Sequence, residues 1–142
     1  MSQAGTFTSE EWQTLQFGPF WVFSALLGAY KNFDPMEYEA FARSLHQAST
    51  APGELARQIV DSVLLERGRL TEMYQADSRT IALGLCGVAV ILKKAPTGEA
   101  ELVKEMLISH IGVRIAQARG RFGRVMSEDD ENTLELISQF LF

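Results

Sequence analysis

Residues 17–30 read FGPFWVFSALLGAY. From position 19 the stretch carries Phe20, Trp21, Val22, Phe23, Ala25, Leu26 and Leu27, which leaves almost no polar face. A helix that is apolar all round belongs at the centre of a fold, with other elements on every side. The spacing predicts such a helix over 19–31. Gly18-Pro19 is expected to end a shorter helix over 9–16, capped by Thr8 or Ser9, with Glu10 and Glu11 at its positive end. The run of 14 residues from Phe17 to Tyr30 falls short of the roughly 20 that span a bilayer, as does the 12-residue run from Ile81 to Leu92. Both read as buried core helices, and no transmembrane segment is expected.

Outward from this stretch the chain keeps a period of about 3.6 residues, with no clean alternation and no Asn-Gly or Asp-Gly hairpin turn. Asp34, Pro35 and Glu37 form the best-specified helix start: a cap, a proline in the first turn and the acid of a capping box. Phe33 and Tyr38 have the spacing of a hydrophobic staple, and Tyr38, Phe41, Ala42 and Leu45 continue as one stripe. After the loop at 49–53 a fourth helix is expected over 54–75, with Leu55, Ile59 and Val63 inward and Gly68 as a point where it can split. A fifth, capped by Asp77 or Ser78, runs to about 94 and is the second nearly all-apolar helix. Its Gly84 and Gly87 imply the close approach of another backbone. Helices over 99–118 and 128–140 complete the set, with Ser127 capping the last. The fold class is therefore all-α: a single-domain bundle of about seven helices over 1–142, with the second and fifth as core.

Composition bounds the function. The chain has 142 residues, 46% of them hydrophobic and 22% charged, an ordinary balance for one globular domain. A net charge of −5 argues against general nucleic-acid binding, which needs a basic surface. The single cysteine, Cys86, allows no internal disulfide, and no basic leader precedes the first apolar run, so a cytoplasmic location is expected.

Two regions share a pattern: an apolar helix, a loop, then an oxygen-bearing cap with an acid three residues on. Asp34 and Glu37 correspond to Ser127 and Asp130, and Phe41 and Leu134 each lie seven residues past the cap. The pattern fits two pseudo-symmetric hairpins around the apolar helices, and it equally fits independent recurrence of hairpin chemistry. The stretches ALLGAYKNFDPMEYEAFARSL and IGVRIAQARGRFGRVMSEDDENTLELISQFL resemble the TerB-like, tellurite-resistance-associated domains. The resemblance covers most of the chain. It implies an all-α fold of this length built from related hairpins, and a non-catalytic role in stress response alongside protein or membrane-complex partners. The family commonly carries Asp-Gly in the loop before the capped helix. Here that loop reads Lys31-Asn32-Phe33-Asp34, so no metal role is carried over.

The candidate sites follow from charge. Arg114, Arg119, Arg121 and Arg124 are the densest basic cluster, at and beyond a helix C-terminus, with Gly120 and Gly123 free to turn the loop. Such a loop can hold an anion or an acidic partner, or pair with the acids that follow it. Those acids are Glu128, Asp129, Asp130 and Glu131. Successive helical residues point about 100° apart, so four in a row do not converge on a cation. Their place in a first helical turn already accounts for them. A metal is not favoured. The rival reading is a small metal-dependent helical protein or enzyme using Asp34, Glu37, Asp130 and Glu131, with His110. His110 lies beside Val103, Met106 and Leu107 and reads as a packed or half-buried histidine. His46 sits near a helix end, and Cys86, in an apolar helix, reads as a buried small hydrophobe. No nucleophile elbow, phosphate loop or dinucleotide fingerprint is present, and no catalytic residue or cofactor is expected. Phe7, Trp12 and the closing QFLF are apolar residues a small bundle leaves near its surface, consistent with a protein partner or a homodimer.

Overall fold

The computed structural model describes residues 6–27, 35–119 and 128–142. Its elements are α1 (Ser9–Leu27), α2 (Pro35–Ala48), α3 (Glu54–Leu65), α4 (Arg67–Ala76), α5 (Ile81–Leu92), α6 (Thr97–Glu105), a π-helical segment (Met106–Val113), α7 (Arg114–Arg119) and α8 (Glu128–Leu141). From α6 to α7 the chain is one continuous rod, so the described residues form seven helical rods and no strand. The all-α class is as expected. The count of seven arises differently, because one expected break is absent and one expected helix is divided.

The absent break is at Gly18-Pro19, which α1 runs straight through. Proline deprives the Leu15 carbonyl of its usual donor and crowds the Cβ of the residue before it. Glycine at 18 has no Cβ to crowd. Burial supplies the rest: every residue from Thr14 to Ser24 is buried. Thr8 caps this helix reciprocally with Glu11, the Glu11 amide donating to Thr8 Oγ1 (3.1 Å) and the Thr8 amide to Glu11 Oε1 (2.9 Å).

The divided helix is the fourth. Its break falls at Glu66 (φ −114°, ψ 26°) rather than at Gly68. The bend leaves Leu65 exposed and brings Leu70 and Tyr74 into the core. Gly53, ahead of α3, has no side chain to cap it. Glu99 in the first turn of α6 does so instead, accepting from the Leu55 amide at 3.1 Å. Thr80, rather than Asp77 or Ser78, caps α5, accepting from the Leu83 amide. Asp77 is turned to Arg79, which donates to it through Nε (3.1 Å) and Nη2 (2.9 Å) and to Thr14 Oγ1 through Nη1 (2.9 Å). The same guanidinium lies 5.0 Å from the Trp21 ring.

The core is aromatic around α1. Phe17 meets Phe20 and Trp21 edge-on, Phe20 lies 4.8 Å from Phe41 and 5.0 Å from Tyr74, and Phe23 lies 4.9 Å from Phe41. Phe41 and Leu134, the matched apolar positions of the repeated pattern, are both buried. The caps Asp34 and Ser127, and Phe33 of the expected staple, lie outside the described residues. Gly84 of α5 faces Trp21 so closely that a Cβ there would overlap the indole ring. The close approach of another backbone expected at Gly84 and Gly87 is not found: an indole fills the space at Gly84, and a Cβ at Gly87 would meet only the Thr14 methyl at an ordinary 3.7 Å. The expectation that α5 is enclosed on all sides is not met. Only Gly84, Leu85, Val88 and Leu92 are buried, and the opposite side is open. No single helix among the described residues is long and apolar enough to cross a membrane.

Two measurements check this core. Gly84→Ala should lower thermodynamic stability by roughly 2–3 kcal/mol through overpacking. Gly68→Ala, where an added Cβ meets nothing within 4 Å, should raise it by up to about 1 kcal/mol. Tyr74 shares a 2.7 Å hydrogen bond with Ser24, and burial pushes its hydroxyl from the ordinary 10.0 up to about 12, with the Asp77 charge adding and the Ser24 bond opposing. A folded-state value above the unfolded one means stability present below pH 10 and lost as pH climbs through 12. Phenolate absorbance at 295 nm should therefore show a late phase that Tyr74→Phe removes.

Candidate binding groove

Helical geometry of about 100° per residue places Leu83, Cys86 and Val90 across α5 from its buried Gly84, Leu85, Val88 and Leu92. Leu83 and Val90 are 64% and 61% exposed, values unusual for large aliphatic side chains. Below this face opens a groove of about 520 Å³, walled by Cys86, Ala89 and Val90 of α5, Ala100 of α6, and Phe140 and Phe142 at the end of α8. Cysteine and the two alanines are short, so the concavity lies between the helix axes, and the phenylalanine rings bound it on the far side. Phe142 is itself 67% exposed.

The charged side chains lining this groove are Lys93, Lys104 and Glu101. The Lys104 ammonium lies 4.8 Å from the centre of the Phe142 ring. Neither Lys93 nor Lys104 has a carboxylate within ion-pair distance among the described residues. Their neighbour Lys94 does, donating to Glu11 Oε1 at 2.7 Å, and that bond chiefly holds the Glu11 carboxyl below its usual range. Arg43, Arg69 and Arg79 are likewise paired, with Glu39, Glu66 and Asp77.

The residues singled out from sequence fall elsewhere. Arg114 opens α7 and is exposed. Arg121, Arg124 and the side chain of Arg119 lie outside the described residues, as does Asp34. Glu37 is half-buried in the first turn of α2, Asp130 is buried at the start of α8, and Glu131 beside it is exposed. Among the described residues no three His, Cys, Asp or Glu side chains come together as a metal would require. His46 is exposed near the end of α2. His110 is half-buried, as expected, within the π-helical segment, where its Nδ1 is buried and has no hydrogen-bond partner among the described residues. Cys86 corrects the reading from sequence: it is exposed, because the buried arc of α5 does not reach it.

No known protein-family profile matches the chain, and no solved structure matches it. It is 28% identical over 103 residues, 71% of its length, to an "Uncharacterized protein ORF11'" of Methanothermobacter thermautotrophicus, of which it covers 70%.

The open position of Cys86 has a direct readout. The native protein should take up one equivalent of a thiol reagent without denaturant, and a bulky adduct should leave its far-ultraviolet helical signal unchanged. A thiol that reacts only after unfolding would mean that α5 turns its other face outward.

Proposed function

We propose that this chain is a non-catalytic helical binding module of TerB-like type, cytoplasmic and tied to stress response, whose partner surface is the groove between α5, α6 and α8. One observation carries this reading: a core-grade apolar helix presents Leu83, Cys86 and Val90 to solvent above a concave apolar wall. Exposed apolar patches of this kind mark interaction surfaces, whereas scattered single residues do not. The all-helical fold and its size support the TerB-like comparison. The partner is a protein, a second copy of this chain or a small anionic ligand.

A competing surface is the arginine run that begins at the exposed Arg114. One experiment separates the two. Immobilised wild type, Val90→Lys and the double variant Arg121→Glu/Arg124→Glu are exposed to a lysate of the source cells, and retained proteins and small molecules are identified by mass spectrometry. Species held by wild type and by the arginine variant, but lost with Val90→Lys, support the groove. Loss with the arginine variant alone moves the binding surface to that run. Equal retention by all three overturns the binding reading.

A further inference from the structure

Resting on the groove as the binding surface, we propose that its occupant is a single-chain carboxylate amphiphile, with the alkyl chain along the apolar wall and the carboxylate between Lys93 and Lys104. The volume of about 520 Å³ lies inside the range of roughly 300–1,000 Å³ typical of small-molecule sites. The wall offers Cys86, Ala89, Val90, Ala100 and the rings of Phe140 and Phe142, surfaces suited to methylene groups, with Thr97, Lys93, Glu101 and Lys104 as its polar groups. A bare inorganic anion would leave the apolar part of the wall unused.

Charge selects the head group. In a chain of net charge −5, this groove gathers two lysines against one glutamate. Of the described lysines, Lys94 is neutralised by Glu11, while Lys93 and Lys104 keep their charge unpaired by any carboxylate of the described residues. Lys104 is held at the groove wall by the Phe142 ring, where an ammonium is favoured by the ring's negative face. Apolar wall and cationic edge together complement an anion with a hydrocarbon tail, and neither half alone would.

Calorimetric titration tests this with octanoate, decanoate, dodecanoate and dodecanol, each below its micellar or solubility limit. Each added methylene should tighten binding about fourfold until the groove is filled. Dodecanol should bind at least tenfold more weakly than dodecanoate. Lys93→Gln/Lys104→Gln should abolish that preference for the carboxylate, and Cys86→Trp, which fills the groove, should abolish binding. Thermal melting of each variant without ligand checks its fold, and saturating dodecanoate should raise the melting temperature of wild type and, at higher concentration, of Lys93→Gln/Lys104→Gln, but not that of Cys86→Trp. Equal affinity for dodecanol and dodecanoate, or no dependence on chain length, would overturn the assignment. So would binding confined to anionic phospholipid vesicles, or groove variants that change only the sedimentation mass. If no carboxylate binds but Val90-dependent capture from lysate persists, the groove remains the binding surface with a different occupant. If both are lost, the groove reading itself fails.

Discussion

The contact between Trp21 and Gly84 sets the distance between α1 and α5, and most of the core is arranged around it. The indole occupies the space that a side chain at 84 would take. Phe17 meets the same ring edge-on, and Tyr74 joins Phe17, Phe20 and Trp21 from α4. Arg79 closes the outer edge: it lies over Trp21, grips Asp77 and donates to Thr14, so the turn before α5 is fixed to α1. Gly84, Leu85, Val88 and Leu92 form the inward arc of α5, and Ile81 and Ile91 are partly buried against the core. Leu83, Cys86 and Val90 lie outside that arc, where no element covers them among the described residues.

Much of the architecture was legible in residues. The all-α class followed from the period of the apolar residues, and the centrality of residues 19–27 from the absence of a polar face. The capping signals worked where they were local, as with Thr8 and Glu11. They failed where the cap comes from far away. Nothing near Gly53 indicates that α3 is capped by a glutamate 45 positions ahead of Glu54. Helix-breaking rules describe a chain in water, so they predict a break at Pro19 that α1 does not have. A proline whose helix is buried over a full three turns is held by contacts that no local rule includes.

The groove was not legible for a related reason. Apolarity on all sides of 81–92 does not by itself bring enclosure on all sides. Enclosure requires neighbours, and their number depends on how seven rods share space, which periodicity does not specify. Cys86 illustrates this: its composition suggests burial, but its angle around the helix from Gly84 decides the matter. The arginine cluster drew attention in the sequence by density of charge. Lys93 just past the end of α5 and Lys104 on α6 are single charges that come to line one groove only in the folded chain. The π-helical turn around His110 had no sequence signature either, since its residues are those of an ordinary apolar helix.

Glu99 does more than cap α3. It sits one residue before Ala100 and two before Glu101, both of which line the groove. Displacing this first turn of α6 would strip the Leu55 amide of its acceptor and leave the α3 N-terminus with Glu54 of its own first turn as the nearby acid. One side of the groove is therefore moored to a helix that does not touch it. Widening the cleft at that wall would fray α3 as well, whereas on the other side Phe142 is largely exposed and meets Lys104 only through its ring. Any adjustment to a larger guest would be one-sided, with Phe142 yielding while the wall of α6 stands and Phe140 stays packed on the core.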